Sequence, residues 1–170
     1  MSGRIVQINV SLGGVPKRPV PWARVTRGGL EGDDHLNTQH HGGPDRALCL
    51  FSIEQIEALQ AEGHPVEPGV LGENLTLAGL DWAGVQPDDF YRLGEEVLVQ
   101  ITRFTNPCFN VRAAFLDGAY ARVSQKQHPG WSRVYARVLV PGAIAAGDPV
   151  ARLTPVEVAR HLAVGLGGCA

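Results

Sequence analysis

Hydrophobic and polar positions alternate over several short stretches of this chain, and a period of two marks half-buried β-strands. Val134, Ala136, Val138 and Val140 alternate in this way between Arg133 and Val140. Arg4 to Val10, Leu75 to Leu77, Tyr91 to Leu93, Glu96 to Thr102 and Asp148 to Leu153 also read as strands. Leu48-Cys49-Leu50-Phe51 is apolar at every position, which predicts a strand covered on both faces. Val20 to Thr26 is extended, and the prolines at 19 and 21 suit a sheet edge. Gly94-Glu95 marks a tight hairpin, and Pro141-Gly142 a turn.

Helical signals are fewer. Ser52 and Gln55 fit a capping box, with Ile53, Ile56 and Leu59 on one side and Gly63 as the stop. Phe109 to Tyr120 predicts a short helix. Thr154-Pro155-Val156-Glu157 is a second helix start, with the helix fading before Gly165. Residues 27–45 and 65–72 read as loops. Many short strands and few helices predict a mainly β, barrel-like fold of mixed or antiparallel strands. The division is one domain over residues 1–153, followed by a short C-terminal helix and frayed tail over 154–170.

Composition narrows the class. A chain of 170 residues that is 44% hydrophobic can bury a core of its own. A net charge of -2 leaves no basic excess for non-specific nucleic-acid binding. Cys49, Cys108 and Cys169 form neither a disulfide framework nor a CxxC pair. No signal peptide and no membrane-spanning run is visible, so the expected setting is the reducing cytoplasm, with no membrane partner.

Three constellations carry candidate chemistry. The loop from Gly28 to Arg46 contains Gly32, Asp33, His41, Gly42, Gly43, Asp45 and Arg46. Its glycines permit close backbone approach to an anion, and Arg46 can clamp a phosphate. It also reads as a plain acidic surface turn. Its histidines lack the i,i+4 spacing of a helical metal site. Cys108 follows a strand, in the turn Thr105-Asn106-Pro107-Cys108, with Arg103 and Arg112 nearby in sequence. Such a thiol serves as nucleophile or soft-metal ligand, or fills core space like an ordinary free cysteine. Cys49 fits the core reading. Glu73 and Asn74, in Gly72-Glu73-Asn74, either meet a ligand's polar edge or cap the turn. Trp131 and Tyr135 are candidates for stacking on a planar ring.

In order along the chain come Gly29-Leu30-Glu31-Gly32-Asp33, His41-Gly42-Gly43-Pro44-Asp45-Arg46-Ala47, Pro68-Gly69, Gly72-Glu73-Asn74-Leu75-Thr76 and Pro107-Cys108. Gly130-Trp131, Arg137-Val138, Pro141-Gly142 and Gly147-Asp148 follow. This series resembles the MOSC domain, the module shared with the C-terminal part of molybdenum cofactor sulfurase. It is similar to stand-alone bacterial members of the N-hydroxylaminopurine reductase type. The resemblance runs from about Arg4 to Leu153.

The resemblance implies a barrel-like domain with a pocket for a molybdenum cofactor of the molybdopterin type, a pterin dithiolene bearing a phosphate. Cys108 matches the cysteine that ligates molybdenum in catalytic relatives. It further implies reduction of small N-hydroxylated bases or related N–O compounds, with electrons from a separate flavin-type donor and oligomerisation open. Pyridoxal-phosphate binding accompanies the family, yet no lysine here sits in an evident Schiff-base context. On this reading Lys17, Gly42, Gly43 and Arg46 hold the pterin phosphate. Gly32, His41, Asp45, Asn74, Arg103 and Asn106 complete the cofactor set, and His41, Asp33 or Glu73 deliver protons. The alternative is a sulfur or cofactor carrier using a Cys108 persulfide, and a weaker one is a cysteine hydrolase. The further C-terminal helical region typical of the purine-reductase relatives is not matched here.

Overall fold

The computed structural model describes residues 2–34 and 43–166. Its strands are β1 (Ser2–Val10), β2 (Arg18–Val20), β3 (Trp22–Thr26), β4 (Gly29–Leu30), β5 (Leu48–Ser52), β6 (Leu75–Ala78), β7 (Phe90–Leu93), β8 (Val97–Phe104), β9 (Val134–Val140), β10 (Gly142–Ala145) and β11 (Pro149–Leu153). Helix α1 spans Ile53–Ala61 and α2 spans Pro155–Leu166. The order β11-β7-β8-β9-β5-β6-β1 closes when β1 pairs back onto β11, which makes a seven-stranded barrel among the described residues. β2 extends the sheet from the far end of β1, where Val10 pairs with Arg18. The fold is mainly β, as the alternation predicts.

The β5–β6 pairing is parallel, while those around it are antiparallel. A parallel neighbour cannot be reached by a tight turn, so the chain crosses over through α1. The helix starts because the Ser52 hydroxyl accepts the Gln55 N–H. Gln55 does not complete the box; its amide instead donates to Gly130 O at 2.8 Å. The chain leaves the helix at Gly63, which has a φ of 94° that favours glycine. Ile56 and Leu59 bury the inner side of α1.

The structure corrects five expectations. Val20 to Thr26 is two strands broken at Pro21: β2 joins the barrel, and β3 joins a separate sheet in the order β10-β3-β4. β4 lies inside the stretch read as loop. Gly29 is needed there, because a Cβ would sit 2.6 Å from Ala47 O. The Pro141-Gly142 turn signal hides a strand beginning at Gly142, whose Ile144 is buried against the core. Phe109 to Tyr120 is not one helix but a series of 3-10 turns. Phe115 is extended and Asp117 takes a φ of 52°, and both break the helical path. At the other end, α2 runs through Gly165 to Leu166. Its reciprocal cap is complete: Thr154 N–H donates to the Glu157 carboxylate at 2.7 Å, and Glu157 N–H to the Thr154 hydroxyl.

Among the described residues, no helix is long and apolar enough to cross a membrane. The barrel interior is filled by Ile5, Leu48, Leu50, Leu75, Leu77, Val99, Ile101, Val134 and Ala136, all essentially buried. Each large side chain contributes roughly 1.5–3 kcal/mol by leaving water.

Candidate functional site

Strand alternation places the site on the outside of the barrel wall. On β9 the buried Val134 and Ala136 alternate with half-buried Tyr135. Successive strand residues face opposite ways, so Tyr135 points away from the interior. The register sets Tyr135 against Cys49 of β5 on one side and Arg103 of β8 on the other. Asn74 continues the row: its backbone N–H donates to Cys49 O at 2.7 Å, and Cys49 N–H donates to its side-chain oxygen at 2.9 Å.

Loops cover this outer row with polar contacts. The Asn74 amide donates to Asp33 at 2.8 Å, and Asp33 also accepts from Ser11 N–H at 2.8 Å. Lys17 Nζ pairs with the same carboxylate at 2.5 Å, with side-chain exposures of 6% and 3%. Gly69 lets the two loops close up, since a Cβ there would lie 2.6 Å from Lys17 O. Glu73 is wholly buried. One carboxylate oxygen accepts from Gly69 N–H at 2.6 Å and from the Thr76 hydroxyl at 3.1 Å. The other oxygen has no partner, and burial pushes the group up from the usual carboxylate range.

The Cys108 turn is tied down through the start of β9. Thr105 N–H donates to Arg133 O at 2.9 Å, the Ser132 hydroxyl donates to Thr105 O at 3.0 Å, and the Trp82 indole donates to Ser132 O at 2.9 Å. Cys108 is extended, precedes the 3-10 turn Phe109–Ala114, and is partly exposed. Cys49 is the contrast: only 5% exposed, its thiol is pushed up to about 11 by burial, with Arg133 and Lys17 opposing and Glu73 reinforcing.

Basic side chains gather around this surface. Arg46 ends the 3-10 turn Pro44–Arg46, and its guanidinium lies 5.7 Å from the centre of the Tyr135 ring. Asp45 anchors that turn: its carboxylate accepts twice from Arg137, at 2.8 and 2.5 Å, and its carbonyl accepts the Thr102 hydroxyl at 2.6 Å. Arg133 is buried and donates to Leu71 O. Its Nε has no partner, and among the described residues no carboxylate lies within ion-pair distance of Arg133 or Arg103. Tyr135 sits amid these groups. Burial first, then Cys49, pushes its phenol up to about 12; Arg133 and Arg46 act in the other direction, and Cys108 adds to the rise.

The structure therefore brings Lys17, Asp33 and Asn74 into one buried network, and sets Arg46 over the Tyr135 ring. Glu73 lies within the wall, joining Gly69 to β6. Gly32 turns the chain with a φ of 84°, while Asn106 and Arg103 are exposed. His41 and Gly42 lie outside the described residues. Among those described, no three His, Cys, Asp or Glu side chains gather into a metal-ligand cluster. Arg133 is the member that sequence reasoning passed over. An arginine opening an otherwise apolar strand was its one visible signal.

Comparison with known proteins gives a consistent picture. The MOSC domain family matches residues 37–151. The uncharacterized protein YflK of Bacillus subtilis is 34% identical over 136 residues, covering 79% of this chain and 60% of that protein. Protein YiiM of Escherichia coli is 32% identical over 148 residues, covering 82% of this chain and 64% of that protein. Its crystal structure superposes with a TM-score of 0.68 at 28% identity, covering 91% of this chain and 70% of that one. A Gibberella moniliformis protein named "Reductase" is 32% identical over 131 residues, which span 74% of this chain and 22% of that much longer protein. The chain thus spans somewhat less than two thirds of the first two relatives.

Proposed function

The chain belongs to the MOSC domain family, and from that premise we propose that it is a molybdenum-cofactor-binding reductase of N-hydroxylated bases or related N–O compounds, with Cys108 as the molybdenum thiolate ligand. The observation that carries this reading is the partly exposed Cys108 thiol in a turn flanked by arginines, with Arg112 lying 3.7 Å over the adjacent Phe109 ring and Arg133 O accepting from Thr105 N–H. The donor chemistry fits the group. Thiolate suits a soft, redox-active metal. A phosphate-bearing dithiolene is anionic, and the nearby carboxylates do not oppose it. Asp33 is neutralised by Lys17, Asp45 is held by Arg137, and Glu73 is sealed within the wall, bonded to Gly69 N–H and the Thr76 hydroxyl.

Cys108 would hold the metal, and Arg46 with the Gly43 backbone would hold the phosphate. Arg133 would supply fixed positive charge from beneath, while its bond to Leu71 O steadies the 69–72 loop. Lys17 contributes indirectly, by fixing Asp33 and through it Asn74. When bound, the cofactor supplies two-electron chemistry to the N–O bond. A relative named reductase supports the general class.

The test is Cys108→Ala in protein produced by a host that makes the cofactor. Loss of molybdenum together with loss of N-hydroxylamine reduction is expected. A Cys108→Ala variant that is fully active and metal-loaded would overturn the reading. A transferable sulfane on Cys108 without turnover of any N–O substrate would replace it with a sulfur-carrier role.

A further inference from the structure

The 3-10 segment after Cys108 buries its large apolar side chains unevenly. Val111 and Phe115 are each 4% exposed, whereas Phe109 is 58% exposed. Phe109 follows Cys108 directly, so the two Cα atoms lie about 3.8 Å apart. The exposed ring is nevertheless held in place. Side chains three apart eclipse in 3-10 geometry, and the Arg112 guanidinium lies 3.7 Å over the centre of the Phe109 ring. Tyr120 is partly buried against the core, and its ring meets Phe109 at an angle of 87° with 6.2 Å between centres. Among the described residues no carboxylate lies within ion-pair distance of Arg112. A flat aromatic surface, braced by a cation and by a core-rooted ring, therefore begins one residue from the candidate metal ligand.

We propose that Phe109 is a specificity-determining residue of this site, on whose exposed ring a planar heteroaromatic substrate stacks. The inference rests on the reductase reading above and states what would select a base over a small aliphatic N–O compound. Every nucleobase has a π-face, so a side-chain ring favours the planar class without distinguishing one base from another. Arg112 takes one side of the ring, and the base takes the exposed remainder. With Arg112 and Tyr120 limiting its rotation, the ring is organised before the ligand arrives, which lowers the entropic cost of binding. Phe109 makes and breaks no bond. It holds the base so that its N–O group lies toward Cys108, and its effect falls on KM and on discrimination between substrates. Hydroxylamine itself has no π-face and draws nothing from this contact.

Phe109→Ala removes the platform, and Phe109→Tyr keeps it. With molybdenum-loaded protein and reduced methyl viologen as electron source, the quantity to measure is kcat/KM for an N-hydroxylated adenine divided by kcat/KM for hydroxylamine. Phe109→Ala should lower that ratio by about tenfold or more, chiefly through KM for the base, while Phe109→Tyr should hold it within about threefold of wild type. A second readout needs no turnover. Adenine has no N–O bond, and equilibrium dialysis on loaded protein without reductant should show it binding about tenfold more weakly to Phe109→Ala than to wild type. An unchanged ratio in active Phe109→Ala overturns the proposal and leaves the reductase reading intact. A loaded wild type inactive on every N–O compound removes the reductase reading. In that protein, adenine binding that depends on Phe109 would still support the stacking surface, and adenine binding indifferent to Phe109→Ala would overturn it.

Discussion

Ala136 and Tyr135 are consecutive on β9 and face opposite ways, and their partners on β5 divide in the same manner. Inside the barrel, Ala136 meets Leu48 and the cover is hydrocarbon. Outside, Tyr135 meets Cys49, and the cover is Asn74, Asp33, Lys17, Glu73 and Arg133. Both faces of β5 exclude water, but only the inner one does so by apolar packing. An apolar face tolerates many residues of similar volume. A buried polar face needs each donor and acceptor matched, so losing one partner strands another. The candidate chemistry sits on the second kind of face.

Removing Lys17 should strain this contrast most. Lys17→Met leaves Asp33 as a buried carboxylate, and urea unfolding should show a loss of about 3–5 kcal/mol. Lys17→Met combined with Asp33→Asn should recover part of it; a double variant as unstable as the single one would show that the pair does not act as a unit. Leu50→Ala, on the inner face, should lose about 2–4 kcal/mol through cavity formation, with Cys108 alkylation unchanged. A large change in alkylation there would mean that the two faces are not independent.

Cys49 sharpens the contrast through pH. Its thiol ordinarily ionises near 9.0, and near 11 in the folded protein, so the folded state holds the proton more tightly. Its contribution is complete below pH 9 and is lost as pH rises towards 11. Wild type should therefore lose up to about 2–3 kcal/mol over that window from this group. Cys49→Ala should lack that component, measured as the difference between the two unfolding profiles at pH 8.5 and 11. Asn74→Ala should be smaller, at about 1–2 kcal/mol, because Cys49 N–H loses its side-chain acceptor while the backbone bond from Asn74 N–H remains. Full stability in Asn74→Ala would place the outer network outside the fold's energetics.

The inner face was the legible one. Alternation in Val134–Val140 and the continuous run Leu48–Phe51 locate β9 and β5, because burial by hydrocarbon leaves a periodic signature. The caps at Ser52 and Thr154 are local and equally visible. β10 was hidden because a single buried isoleucine, Ile144, carries its pattern and a turn signal overlaps its start. The 3-10 series after Cys108 was hidden because one left-handed aspartate and one extended phenylalanine decide it, not periodicity. At the site, the motifs pointed to Asp33, Asn74 and Cys108 as polar residues of interest. The pairing of Asp33 with Lys17, and of Arg133 O with Thr105 N–H, joins positions distant in sequence and leaves no local trace.

Barrel closure has a consequence in time. β1 meets β11 through Ser2–Arg4 and Pro149–Ala151, roughly 150 residues apart in sequence, a long-range contact of the kind that slows folding. At ribosomal speeds of about 5–20 residues per second, that edge of β1 stays without its final neighbour for on the order of ten seconds after it emerges. During that interval its backbone N–H and C=O groups form an open strand edge, the most adhesive surface a nascent β-protein has. Closure late in synthesis turns that hazard into a ring without a free seam.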